Sequence, residues 1–591
     1  MKERWIEYGK KADFEAWAKE LSVSPLFARI LKNRGIDSVE EAKKFLYGTV
    51  KDLLDPALMK DMEKAASLLV TSVKAGKRIA IVNDYDCDGI FSGQIVYELI
   101  GRLGGTAVVF TPNRVKDGYG INRRIIDEAY RAGCSVILTT DNGISASEEI
   151  QYAKLLGFTV ILTDHHEPRT VTENGVTTAV LPNADAVVDP KRADETFPYR
   201  DLCGAGVALY LARMVYRLTG IPEEETGTYY EYAAIATVAD VVPLTGENRI
   251  IVRYGIELLK HTEKAPLKAL MEASMLSLES VNATTIGFVL APSVNSIGRL
   301  ADPTIAFRFL TSTDENEARE TAGRIRALNE ERKALTEEGF RIAKALIEEE
   351  ESDDKVLVVS LEDVNESIIG IIAGRIKEAY YKPVFLLTES GTPGLLKGSG
   401  RSIEGYHMAN ELQKVSTLLE RFGGHAGAAG LSIRKENVDA FRKTLNREAT
   451  LTEEDLTPVV KIDARAPISY MTKEFVRELK MLEPCGTGND KPLFARQKMR
   501  LRRLRLLGEK QNFMKMTLED ETGRTDDAVM RGDFTEFFNL IRKHYGRDTV
   551  EALLEGNYVN VELAFTYRPE IHEYRGYEYV QLNCVNYCKI G

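Results

Sequence analysis

Cysteine is scarce in this chain, with six in 591 residues (Cys87, Cys134, Cys203, Cys485, Cys584 and Cys588). Only the last two approach metal-ligand spacing, and no second pair completes a site. The thiols therefore read as reduced, with no structural zinc cluster or disulfide framework. No run of about 18 apolar residues occurs, which argues against a membrane span. The opening stretch MKERWIEYGKKADFEAWAKE mixes charge with aromatics and has no apolar leader segment. The expected location is the cytoplasm. Internal repeats and low-complexity tracts are missing too. There is no excess of positive charge: the net charge of -11 argues against a generally basic nucleic-acid binder but leaves room for a local basic groove. Histidine is also rare, seven in the chain, yet two stand side by side in TDHHEP, residues 163–168.

What is present is an ordinary soluble composition, 44% hydrophobic and 28% charged, in a chain too long for one core. From 76 to 250, short apolar runs alternate with helical stretches: RIAIVN, TAVVFT, SVILTT and FTVILT read as strands, FSGQIVYELIGRL and SASEEIQYAKLL as helices. That alternation predicts a parallel sheet covered on both faces. An N-terminal helical segment is expected over 1–75. Residues 251–348 lack strand runs and end in a long charged helix, a connector. A smaller α/β domain is expected over 349–447, followed by NREATLTEEDLTP as a linker. A β-rich barrel or sandwich is expected over 455–591.

Three of the apolar strands run directly into acidic clusters, DYDCDG, DNG and DHH. Ligands of open α/β sheets bind beyond the carboxyl ends of the strands, so the three clusters should converge on one rim. Massed carboxylates (Asp84, Asp86, Asp88, Asp141, Asp164) repel one another unless a cation holds them. Oxygen ligands with imidazole suit Mn²⁺, Mg²⁺ or Zn²⁺, and two ions about 3.5 to 4 Å apart are the usual device for hydrolysing phosphate esters. Each piece alone has a plainer reading. DxDxDG matches the start of an EF-hand, but Ile95 stands where the closing glutamate is required. DNG is commonly a turn and HH a loop. Their coincidence at successive strand ends favours a metal site.

NDYDCDG, DNGI, TDHHEP and ATVADVVPL resemble, in order and spacing, the four motifs of the DHH phosphoesterase superfamily, the last adding Asp240. PNRVKDGYGIN, APSVNSIGRLADP, GSGRS, RFGGHAGAAG and EPCGTGNDKPLF further resemble the RecJ family of single-stranded-DNA-specific exonucleases, from about residue 25 onward. Departures are Asn83 for a usual glycine, Cys485 for phenylalanine, Asp490 for proline, and ESIIGIIAGR in place of GVIGIVAGR. The resemblance implies an α/β multidomain fold: a parallel-sheet DHH domain, a long connecting helix, a smaller α/β DHH-associated domain and a C-terminal OB-fold β-barrel. It implies hydrolysis of single-stranded DNA from the 5′ end with two Mn²⁺ or Mg²⁺ ions, in repair and recombination. It also implies a RecQ-type helicase and a single-strand-binding protein as partners. A monomer is expected.

Carried over by motif, Asp86, Asp88, Asp141, His165 and Asp240 are the expected metal ligands, with Asp141 a bridge between two ions. Asp84 is expected to ligate or to act from behind, and His166 to serve the phosphate or leaving group, since imidazole exchanges protons near neutral pH. Glu167 has no expected role and should be exposed. In the second domain Arg401, Ser402, Gly424 and His425 are expected to grip phosphate, with glycine-rich backbone presenting N–H groups. Arg114, Asn295 and Arg299 are expected to line the same groove. In the barrel, Lys498, Arg500 and Arg502 share one parity as a cationic stripe, with Phe513, Tyr567, Tyr574 and Tyr577 as stacking aromatics. Two other classes remain open: a smaller DHH activity (oligoribonuclease, nucleotide phosphatase or cyclic-dinucleotide phosphodiesterase), and a non-catalytic strand-binding relative. The barrel and connector favour a polymeric substrate, and the filled ligand positions favour catalysis.

Overall fold

A computed structural model describes residues 3–173, 176–350 and 352–589. They form two compact units, Thr49–Pro458, and Met1–Gly48 together with Val459–Gly591. No helix among the described residues is long and apolar enough to cross a membrane.

In the larger unit, five strands, β1 (Arg78–Asn83), β2 (Thr106–Phe110), β3 (Val136–Thr140), β4 (Thr159–Thr163) and β5 (Ala186–Val188), lie in the order β2-β1-β3-β4-β5. All pairings are parallel. The apolar runs lack a wet face because both faces are covered. Ile79 and Ile81 enter a core with the helices Cys87–Arg102 and Gly204–Thr219, and Ala80 and Val82 enter another with Arg123–Arg131 and Ser147–Leu155. The chain passes from β1 to β2 on one side and then to β3 on the other, so a crevice opens at the carboxyl ends between β1 and β3.

The connector is helical and ends in the 36-residue helix Glu315–Glu350. Ala318, Ala322 and Ile325 belong to the core of the first domain and Ala343 to that of the second, so this helix joins two cores. The second domain has strands β6 (Leu357–Leu361), β7 (Val384–Glu389), β8 (Leu395–Arg401), β9 (Leu419–Gly424) and β10 (Ala428–Arg434), in the order β9-β10-β8-β7-β6. Only the β6–β7 pair is parallel. The first half of the expected linker belongs to this domain. The helix Val438–Glu448 runs into it, Leu451 is buried in the core, and Thr452 caps onto Asp455.

The smaller unit is a barrel. Phe494–Leu507, Phe513–Glu519, Thr525–Arg531, Tyr577–Cys588 and Val561–Tyr574 are adjacent in that order, and the first and last pair to close it. The expected N-terminal segment 1–75 does not form one unit. Arg4–Glu7 pairs with Val459–Ile462, and Phe27, Ile30 and Leu31 fill the barrel core beside Phe475 and Phe494. The helix Met62–Lys74 instead packs Met62, Ala65, Ala66 and Leu69 against the parallel-sheet domain.

Candidate metal centre and phosphate cleft

The sheet register explains the convergence. Asn83, Thr140, Thr163 and Val188 lie level across β1, β3, β4 and β5. The next residue on each strand is an aspartate: Asp84, Asp141, Asp164 and Asp189. Asn142 fixes this level, donating to Val82 O and Thr140 O (both 2.9 Å) and accepting from Ile121 N (3.1 Å). Asp86 caps the helix Cys87–Arg102 through Gly89 N at 3.1 Å. Asp88 accepts from Gly204 N (2.6 Å) and Ala205 N (2.8 Å), at the positive end of the helix Gly204–Thr219. Asp240 stands at the other kind of end, the C-cap of Gly227–Ala239, where a negative charge is disfavoured.

His165 Nε2 lies 3.1 Å from Asp141 Oδ1, 3.6 Å from Asp88 Oδ2 and 3.7 Å from Asp240 Oδ2. Asp84, Asp86 and Asp141 offer ligand atoms within 4.8 Å of one another; so do Asp88, His165 and Asp240, and so do Asp141, His165 and His166. The donor set fits divalent cations. Asp84 Oδ1, Asp141 Oδ1 and both His165 ring nitrogens are buried without a hydrogen-bond partner. Buried polar atoms of that kind each cost about 1–3 kcal/mol unless something satisfies them. Burial, followed by the neighbouring carboxylates, raises the pKa of Asp84, Asp141 and Asp240 well above the usual range, and that of Asp88 to about 6. Burial lowers His165 to about 3, which keeps its lone pairs available.

The second histidine is set differently. Asp164 accepts from Ile144 N, His165 N, His166 N and His166 Nδ1, so its carboxylate organises the turn. Burial presses His166 down, but Asp164 at 2.7 Å outweighs it and raises the imidazole to about 9. Its side chain is 43% exposed and faces Tyr119, whose hydroxyl lies 3.0 Å from His166 Nδ1 and donates to Asp141 O at 2.8 Å. Glu167 is exposed.

Beside this centre lies a cavity of about 390 Å³ whose lining includes Tyr85, Arg114, Ser367, Gly370, Ser399 and Arg401. Arg114 lies over the Tyr85 ring at 5.0 Å, Arg299 donates to Ser367 O at 2.6 Å, and Arg401 to Gly400 O at 2.8 Å. Among the described residues none of the three pairs with a carboxylate. Burial and the Arg114 charge press both Arg299 and Arg401 below the usual arginine range. Arginine does not give up its proton, so this is uncompensated positive charge, suited to an anion. The helix Ile369–Tyr380 starts at the cavity with no side-chain cap, adding N–H groups of the same sign.

Family models match three segments: the DHH family N-terminal domain at 78–239, the DHHA1 domain at 353–450 and the RecJ OB domain at 462–586. The chain is 34% identical to the single-stranded-DNA-specific exonuclease RecJ of Escherichia coli over 94% of its own length and 95% of the relative's. The chain belongs to the RecJ family. It is 35% identical to RecJ of Bacillus subtilis over 89% of its length, and that match spans 65% of the Bacillus protein. The crystal structure of RecJ in complex with Mn²⁺ from Thermus thermophilus superposes with a TM-score of 0.81 at 26% identity, covering 99% of this chain and 79% of that one.

Within this RecJ fold the expected residues sort unevenly. The six metal-ligand candidates Asp84, Asp86, Asp88, Asp141, His165 and Asp240 come together, as do Arg114, Arg299 and Arg401. Asn295 accepts through its Oδ1 from Cys87 N at 2.8 Å and so braces the first motif. Ser402 is spent on a turn, its hydroxyl donating to Tyr406 O, and of the two serines within GSGRS it is Ser399 that lines the cavity. The glycines of GSGRS also serve packing, and Gly398 lines the cavity. A Cβ on Gly398 would lie 2.6 Å from Leu387, and one on Gly400 2.7 Å from Phe385. Gly424 serves close pairing of β9 with β10, since a Cβ there would lie 2.4 Å from Ala428 O. His425 is exposed, and His166, Arg401 and Lys191 all lie near enough to depress its pKa, after burial.

In the barrel the arginine stripe is a ladder of ion pairs. Arg500 bonds Glu562 and Glu519, and Arg502 bonds Glu519. Tyr567 is core, fully buried with its hydroxyl on Ala466 O, and not a stacking surface. Phe513 is half-buried with Arg531 over its ring, while Tyr574 and Tyr577 are 62% and 80% exposed at a hairpin tip. Sequence reasoning missed Tyr119, Ser399 and Asp189. The last was detectable, because AVVDP repeats the pattern of an apolar strand ending in aspartate.

Proposed function

We propose that the chain hydrolyses single-stranded DNA from the 5′ end to mononucleotides, using two Mn²⁺ or Mg²⁺ ions, in cytoplasmic DNA repair and recombination. The observation that carries this is the juxtaposition of a buried carboxylate–imidazole cluster having unsatisfied ligand atoms with a cleft of three arginines that have no counter-charge. The first demands cations and the second an anion, and a phosphodiester held between them supplies the link.

Asp84, Asp86 and Asp141 would hold one ion and Asp88, His165 and Asp240 the other, and Asp141 also lies 3.1 Å from His165. Ions held there would supply an activated water, a hold on the scissile phosphate and charge to offset the leaving 3′ oxygen. His166, kept protonated by Asp164, donates to the phosphate or to that oxygen, and Tyr119 holds its ring in place. Arg114, Arg299, Arg401 and Ser399 grip the 5′-terminal phosphate as charge-assisted donors. Exposed Tyr574 and Tyr577 give the barrel faces for unstacked bases. A monomer suffices for this chemistry. A RecQ-type helicase that frees single strands, and a single-strand-binding protein that covers them, are the partners this reading calls for.

The test compares degradation of a 5′-labelled long single strand with that of its duplex, of short RNA oligomers and of cyclic or linear dinucleotides. Preference for the long single strand supports the proposal. Faster turnover of RNA oligomers or dinucleotides would assign a smaller-substrate phosphodiesterase instead.

A further inference from the structure

The loop that leaves β5 carries a lysine that the metal centre and the arginine cleft do not account for. Thr163 pairs with Val188, and Asp164 N donates to Val188 O at 3.0 Å, so the chain after Val188 emerges beside the Asp164–His166 turn. Asp189 folds it back: Lys191 N donates to Asp189 Oδ1 at 2.7 Å, and Arg200 donates to Lys191 O at 2.7 Å. The Lys191 backbone is thus held from both sides. Yet among the described residues Lys191 Nζ makes no ion pair and donates no hydrogen bond, although the side chain is half-buried beside carboxylates. A half-buried cation without a partner, on a loop beside the acidic strand ends, is available to an anion.

Sheet order says which one. Arg114 follows β2 at one edge, Lys191 follows β5 at the other, and the clusters after β1, β3 and β4 lie between. With strands about 4.8 Å apart, the two edges are roughly 19 Å from each other, more than one nucleotide of an extended strand. We propose that Lys191 contacts the backbone phosphate immediately 3′ of the scissile one. The strand then crosses the rim from the arginine cleft at its 5′ end, over the metal centre, to Lys191. This assignment rests on reading the site as a 5′ exonuclease.

A double-mutant cycle between protein and substrate tests it. Lys191→Gln and the parent enzyme are assayed on single strands carrying one uncharged methylphosphonate, either at the phosphate 3′ of the first scissile bond or one position further along. At the adjacent position each change alone should lower kcat/KM about 10-fold, as for loss of one charge-assisted contact, and the two together should lower it no further. At the further position the effects should multiply. Multiplicative effects at the adjacent position, or coupling at the further one, would overturn the assignment. Calorimetric Mn²⁺ binding should be no weaker in Lys191→Gln; its loss would show a structural role and also overturn the assignment. A parent enzyme unable to degrade the unmodified strand from the 5′ end would count against the functional reading instead.

Discussion

Asp141 bears the largest conflict of any single residue. It is fully buried, adopts φ +63°, which side-chain-bearing residues rarely take, and keeps one carboxylate oxygen without a hydrogen-bond partner. Left-handed backbone costs roughly 1–2 kcal/mol and the unsatisfied carboxylate adds to it, so the residue opposes folding until a cation arrives. In chelator, Asp141→Asn should therefore melt a few °C above the parent (about 1–3 kcal/mol), and should lose the further rise that Mn²⁺ gives the parent; calorimetric scans with and without metal check both. The raised carboxyl pKa values fix a sign as well. Metal requires Asp84, Asp141 and Asp240 ionised, while burial and mutual repulsion favour their protonated forms. Mn²⁺ uptake should release protons, and affinity should fall as pH falls. Isothermal titration in two buffers of different ionisation enthalpy measures the proton count, and zero release would contradict it. Much of this residue-level site was legible because DYDCDG, DNG and DHH concentrate acid at strand ends. Tyr119 and Lys191 were not, because a lone tyrosine or lysine carries no local signal; only the register and the loop geometry bring them to the site.

At the scale of elements, two close approaches hold the centre together. A Cβ on Gly204 would lie 2.5 Å from the Asp141 Cβ, and one on Gly89 2.7 Å from the Asp84 backbone. Gly204→Ala must push Asp141 out of register, so it should weaken Mn²⁺ binding while costing about 1–3 kcal/mol of stability; metal titration beside thermal melts separates the two effects. Arg401→Ala should raise KM for 5′-phosphorylated strands roughly 10- to 100-fold and act far less on 5′-hydroxyl strands. Equal effects on both would mean the cleft does not hold the terminal phosphate. The strands were readable from their apolar runs, since a sheet buried on both faces leaves no polar alternation. The glycine-rich motifs were only partly legible for a physical reason. A glycine that lets a phosphate approach and one that lets a neighbouring strand side chain approach look alike in sequence, and at Gly398 and Gly400 the neighbours are Leu387 and Phe385. The arginine stripe is ion-paired because Glu519 and Glu562 lie on the two strands flanking it, 17 and 62 residues away from Arg502 and Arg500, and only the strand pairing shows that.

For the whole molecule, the N-terminal residues belong with the far end of the chain. Phe27, Ile30 and Leu31 are fully buried in the barrel core, and Arg34 bonds Asp463 at 2.6 Å. No periodicity within 1–75 could reveal a partner more than 400 residues away. Deleting residues 1–48 should strip hydrogen-exchange protection from 459–589 and leave it in 76–450. A two-ion, 5′-directed attack on single-stranded DNA is read out by end-labelling. Single strands labelled at the 5′ or the 3′ end are incubated with Mn²⁺ and either the parent enzyme or Asp141→Asn. The parent should convert 5′ label to mononucleotide at once while 3′ label persists in shortening strands, and Asp141→Asn should bind the strand but release nothing. Prompt release of 3′ label, or retained turnover in Asp141→Asn, would contradict it.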